Sequence, residues 1–216
     1  MKKLLLSLAL LPMMAMAGNV KSPNGNIELK FSVNKEGRPV YEMTYKGREV
    51  IKPSFLGLEL AKDKHASAGL KETDLMDGFS IKNERTSEFD ETWQPVWGET
   101  KDIRNHYNEL AVTLQQMWLE RVKSNQPGLR LDQKHHSREM IIRFRVYDDG
   151  IGFRYEFPQQ ADLNYFLIKE EHTEFAMAGD HTAWWLPGDY DTQEQETQEC
   201  KLSTTRSEER FSRNAE

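Results

Sequence analysis

Ile27, Leu29, Phe31 and Val33 are apolar, and Glu28, Lys30 and Ser32 between them are polar. A period of two puts all four apolar side chains on one face of an extended strand; a helix would scatter the same residues around its circumference. The pattern recurs. Val40 to Tyr45 ends at Lys46-Gly47-Arg48, a tight-turn sequence leading into Glu49-Val50-Ile51, so the chain opens as a β-meander. Further strands are expected at Gly57 to Leu60, Phe79 to Asn83, Glu109 to Leu114, Met140 to Tyr147, Ile151 to Phe157, Tyr165 to Ile168 and Thr182 to Leu186. In the hairpin from Ile141 to Phe157, Asp148-Asp149-Gly150 joins two alternating runs, and Gly150 is expected to supply a positive φ. Helical signal is confined to Gln115 to Arg121, a turn or two that Pro127-Gly128 breaks; the polar run on to Ser137 reads as an elongated, exposed hairpin loop. Many short strands with Gly, Pro, Asn and Asp between them predict an all-β fold, an antiparallel sandwich and not a parallel α/β sheet.

A chain of 216 residues, 38% hydrophobic, is long enough to bury one substantial core. Its net charge of −6, with both signs interspersed, gives no basic field for nucleic acid and a weak repulsion from anionic membranes. Lys2 and Lys3, the apolar run Leu4 to Met14 and then Ala15-Met16-Ala17 have the three parts of a secretory signal. Residues 1–17 are therefore expected to be a signal peptide cleaved before Gly18, with the mature protein in a periplasm; the apolar run is too short to be a good membrane span. Cys200 is the single cysteine, so no internal disulfide can form and the exported fold must stand on its core.

Two segments mix large aromatics with hydrogen-bonding groups: Phe89 to Glu99, which holds Trp93 and Trp97, and Arg104-Asn105-His106-Tyr107-Asn108-Glu109-Leu110. A pyranose offers a C–H face for stacking and a rim of hydroxyls, and this mixture suits it, although such rings also commonly cap a sandwich edge. Pro187 to Glu194 packs three carboxylates into a loop able to aim them. Asp90, Glu91, Glu99 and Glu109 invite pairing as a catalytic acid and base, but surface acids are ordinary in a chain with 35 Asp and Glu, and none is assigned a catalytic role. His135-His136 has no second ligand pair at zinc spacing and is expected to be solvated.

Phe89 to Glu99, Arg104 to Leu110, Asp148 to Tyr155, Ile168 to His172 and Pro187 to Glu194 together resemble the N-terminal domain of glycoside hydrolase family 97. The likeness runs from about Ser22 to Glu194 and looks closest to the inverting α-glucosidases with which Bacteroides-type bacteria use starch. It implies a galactose-mutarotase-like β-super-sandwich, incomplete at the C-terminus and occupying residues 18–200; the polar, charged composition of residues 201–216 separately predicts a disordered tail. It also implies a catalytic (β/α)₈ barrel that this sequence does not hold, and starch-derived oligosaccharides as substrate. By position in the motif, Glu194 would be a calcium ligand joined by carboxylates of the barrel, since calcium takes several oxygens. Trp97 and His106 would form part of the substrate-site wall. Two readings follow: a domain of a periplasmic α-glucosidase, inactive without its barrel, or a stand-alone carbohydrate-binding or structural sandwich.

Overall fold

The computed structural model describes residues 16–61, 74–122, 132–186, 194 and 196–204. The chain divides into two units, Met1–Ala176 and Met177–Glu216. Among the described residues every regular element is a strand, apart from two 3-10 turns at Ala161–Leu163 and Leu202–Thr204.

The first unit opens with the expected meander: β1 (Met16–Lys21), β2 (Ile27–Val33), β3 (Pro39–Tyr45) and β4 (Arg48–Phe55), antiparallel and in chain order. β2 alternates buried and half-buried residues along its whole length, as its sequence requires. Lys46 and Gly47 have φ of 49° and 74°, the two positive values a two-residue hairpin of type I′ needs, and Tyr45 pairs directly with Arg48. The β1 strand begins at Met16, so cleavage before Gly18 would leave Gly18 to Lys21 of it; residues 1–15 of the expected signal lie outside the described residues.

A second four-stranded antiparallel sheet follows: β6 (Phe79–Trp93), β7 (Ile103–Val122), β8 (Asp132–Val146) and β9 (Ile151–Glu156). Between the sheets lies the core. Leu29, Phe31 and Tyr41 from the first meet Leu110, Val112, Leu114, Met140, Ile142 and Phe144 from the second, all fully enclosed. The Phe31 and Phe144 rings are 5.7 Å apart, and Tyr41 lies 6.0 Å from Phe144 and 5.8 Å from Phe153, in tilted arrangements that aromatic quadrupoles favour. Gly37 shows how closely the layers meet: its φ is +79°, and a Cβ there would stand 2.5 Å from the backbone nitrogen of Phe79 at the start of β6. A short pair, β5 (Leu58–Leu60) with β10 (Ile168–Glu171), completes this unit.

Four expectations are corrected. Gln115 to Arg121 is strand, not helix: β7 runs 20 residues, and its ladder with β8 continues from Asn108↔Val146 to Val122↔Asp132. The ladder with β8 takes up backbone hydrogen bonds along this stretch in place of those a helix would make internally. Of the segment expected as a loop up to Ser137, Asp132 to Ser137 are the start of β8, and residues 123–131 lie outside the described residues. Gly150 does not take a positive φ, because the connection spans Tyr147 to Gly150, closed by Tyr147 N–H donating to the Gly150 carbonyl at 2.8 Å, and a four-residue link needs no left-handed residue there. Tyr165 to Leu167 precede β10 and are not part of it.

In the second unit β11 (Thr182–Trp185) pairs antiparallel with β12 (Gln198–Lys201). Trp185 Nε1–H donates to Cys200 Sγ at 3.2 Å, and the N–H and hydroxyl of Ser203 both reach the Asp180 carboxylate at 2.9 Å. Order in this unit thus reaches Thr204; residues 205–216 lie outside the described residues.

Candidate functional site

Strand register makes one part of the molecule project. The ladder of β6 with β7 extends to Trp93↔Ile103, whereas β8 pairs with β7 no nearer that end than Asn108↔Val146. Residues 89–93 and 103–107 therefore form a two-stranded arm beyond the four-stranded sheet. A free ribbon of that size is marginal in water, so local side-chain pairs must hold it. Arg104 grips Asp90 with two parallel hydrogen bonds of 2.8 and 2.7 Å, and its guanidinium keeps the Asp90 carboxyl below the usual carboxylate range. Gln94 donates to Asp102 at 2.7 Å across the tip. Phe89 stacks on Tyr107, centroids 5.2 Å apart, and Tyr147 closes over Tyr107 at the same distance.

The sequence-derived wall residues both sit on this arm. His106 faces Asp90 across the ladder, half-buried, with Nε2 3.6 Å from a Glu88 carboxylate oxygen. Trp97 lies in the connection beyond Trp93 and is 89% exposed, next to a fully exposed Val96; Trp93 itself is 45% exposed. These apolar rings are thus left open to solvent beside paired acids and bases. Trp97 and His106 are thus on one hairpin but at different depths, the first at the tip and the second where the arm leaves the sheet.

Glu194 belongs to the second unit and is exposed; Pro187 to Gln193 lie outside the described residues. An exposed carboxylate matches the hard-oxygen chemistry calcium selects, but one side chain supplies at most two of its six to eight oxygens. The remaining donors would have to come from elsewhere. Glu59, Glu170 and His172 also converge, with ligand atoms within 4.8 Å of one another, but the Lys169 ammonium meets Glu59 at 2.5 Å and supplies the countercharge there.

Two of the tempting acids, Asp90 on Arg104 and Glu109, are occupied by guanidinium groups. Glu109 is 7% exposed, paired with Arg143 and, at 3.0 Å, with Arg145. Burial opposes its charge, and the two guanidinium groups outweigh burial and leave its carboxyl below the ordinary range. Arg143 also clasps Glu156 at 2.7 and 2.9 Å, and Glu156 is held at about 2 by hydrogen bonds from Arg143 and then Arg154, against partial desolvation.

At the opposite end of β7 lies a buried polar cluster. His136 is enclosed, stacked on Trp118 at 5.2 Å with Nδ1 2.9 Å from Asp162; the expectation of a solvated pair holds for exposed His135 and fails for His136. The cause is alternation: in β8 the even-numbered residues face inward. Arg138, fully enclosed, donates through Nε to Gln116 at 2.5 Å and through Nη2 to the Asp74 carbonyl at 3.0 Å. The clue available in sequence was the register itself, which puts Gln116, Trp118, His136 and Arg138 on the face of Leu114 and Met140.

The Glycosyl-hydrolase 97 N-terminal family profile matches residues 20–214, so the chain belongs to that family. It is similar in structure to a glycoside hydrolase family 97 enzyme of Pseudoalteromonas sp. strain K8, solved with panose and with acarbose: 33% identity, TM-score 0.62, 79% of this chain and 22% of that one. A retaining alpha-galactosidase of Bacteroides thetaiotaomicron is 26% identical over 162 residues, 75% of this chain and 19% of the relative. A β-arabinopyranosidase, 22% identical with a TM-score of 0.58, shares the fold. The chain spans about a fifth of the length of the relatives it matches.

Proposed function

We propose that the chain is the N-terminal domain of an exported, calcium-dependent α-glucosidase of the inverting type, acting on starch-derived oligosaccharides. The observation that carries this reading is the 33% identity to the enzyme solved with panose and acarbose, set against 26% to the alpha-galactosidase. In this reading the catalytic acid and base lie on the barrel, at the separation that admits a water for inversion. The chain's own part is to offer Trp97 and His106 as site wall and Glu194 as one oxygen ligand. Calcium, when bound, would act as a Lewis acid on substrate or water. Alone, the chain hydrolyses nothing.

The test joins this domain to its barrel and compares aryl α-glucoside with aryl α-galactoside, with and without a calcium chelator. The reading expects glucoside hydrolysis with inverted anomer, lost on chelation and restored by calcium, and a Glu194→Gln variant that needs more calcium for the same rate. Preferential galactoside hydrolysis with retention would replace it by the second reading, which the alpha-galactosidase relative favours. Saturable maltooligosaccharide binding by the isolated chain, unimproved by the barrel, would instead identify a stand-alone binding module.

A further inference from the structure

The outer face of the second sheet, away from the core, carries an unusual set of charges. Reading across the ladders, Arg85 stands opposite Ala111, Ala111 opposite Arg143, and Arg143 opposite Arg154; in the next row Glu109 stands opposite Arg145, and Arg145 opposite Gly152. Four guanidinium groups thus share these two rows and their neighbours with Glu109 and Glu156, and Glu139 lies on the same face two rows further along, beside Lys82, in a chain whose net charge is −6. Like charges directly opposite in a sheet are unfavourable, yet Arg143 and Arg154 are placed so and both turned onto Glu156. Arg145 is held from two sides, by Glu109 and by the Tyr107 ring 4.5 Å below its guanidinium. Arg143, Arg145 and Arg154 are therefore each held by partners, and their three five-donor forks offer more N–H groups than Glu109 and Glu156 accept.

Gly152 supplies the space. Its φ is not in the left-handed region and a Cβ built on it would meet nothing within 4 Å among the described residues, so neither backbone conformation nor packing against them calls for glycine. Glycine within a strand weakens it and often marks the close approach of something else. Over Gly152 lies an open depression of about 190 Å³, lined by Arg143, Arg145, Arg154 and Tyr147 among others.

The geometry points to an oxyanion-binding site in this depression, taking a carboxylate, sulfate or phosphate group on a small ligand, with Arg145 and Arg154 as its donors and Gly152 as its floor. Planar guanidinium forks match such groups in charge and geometry. The site is independent of the proposed glucosidase reading. It is tested by titrating the purified chain with inorganic phosphate, D-glucuronate and D-glucose, at ionic strength matched with chloride, following the Gly152 amide and the arginine Nε–H signals by NMR. Phosphate or glucuronate should saturate these signals one to one. Arg154→Gln should weaken binding about tenfold, the loss of one charge-assisted hydrogen bond. Gly152→Val, which fills the depression and leaves the ion pairs intact, should abolish binding with an unchanged circular dichroism spectrum. Tighter glucuronate assigns the site to a sugar-borne carboxylate, and tighter phosphate to a free anion. Equal responses to chloride or glucose, no saturation, or full binding by the folded Gly152→Val protein would overturn the proposal.

Discussion

The two ends of β7 are written in similar residues and end in opposite environments. Arg104, His106, Tyr107 and Asn108 at one end, Gln116 and Trp118 at the other, are all polar or aromatic. At the Gln116 end the strand lies under the loop at Asp74 to Asp77 and beside the 3-10 turn at Ala161–Leu163, and its inward side chains, with Arg138 and His136 of β8, are enclosed. At the Arg104 end only β6 accompanies it, and the tip is open to water. Polarity in a strand therefore does not decide burial; the number of elements stacked on that stretch does. The buried end ties its polar groups into hydrogen bonds, and the open end leaves Trp93 and Trp97 exposed to solvent.

Mutation of each end separates these roles. The largest effect is expected for Arg138→Ala, which strips hydrogen bonds from enclosed Gln116 and Asp74 and leaves a cavity; urea titration should show a loss of about 3 kcal/mol. An unchanged midpoint would mean that the cluster stabilises nothing.

A smaller change is expected for Glu156→Gln on the outer face. The folded-state pKa of Glu156, about 2, lies below the ordinary 4.5, so its contribution is complete above pH 4.5 and lost as pH falls toward 2. Most of the carboxylate's surroundings are solvent-screened, which limits the cost of Glu156→Gln at pH 7 to about 1 kcal/mol. The difference from the parent chain should shrink steadily between pH 4.5 and 2; a gap that stays constant across that range would rule out the ion pairs as its source.

Least of all should be the effect of Arg104→Ala on global unfolding, since its pair with Asp90 is solvent-exposed and sits on an arm that no third strand supports. Amide exchange should nevertheless quicken at 103–107 and stay slow at 110–116. Uniform loss of protection would show the arm to be integral to the sandwich.

Alternation made the first sheet, the core and the turn at Lys46-Gly47 legible in the sequence. It also contains the second sheet, but Gln116, Trp118, His136 and Arg138 break the apolar rule at inward positions, so the sequence pattern of the buried end resembles a helix followed by a loop. Nothing local in the sequence announces that a polar side chain will meet Asp74 or Asp162, because those partners arrive from 42 and 26 residues away. The arm was legible as an aromatic and polar mixture; its projection was not, since that follows from where β8 stops pairing. Trp97 and His106 were named without the Asp90–Arg104 clasp that orders the hairpin between them.

The role proposed for the open end is tested most directly by the pair Trp93→Ala and Trp97→Ala in the proposed α-glucosidase, this domain joined to its barrel, measuring kcat/KM on maltooligosaccharides together with the melting temperature. A stacking wall predicts about a tenfold fall in kcat/KM, since one lost ring–sugar contact is worth roughly 1.4 kcal/mol, with melting unchanged. Full activity with both rings removed, or a loss explained by a lower melting temperature, would contradict it.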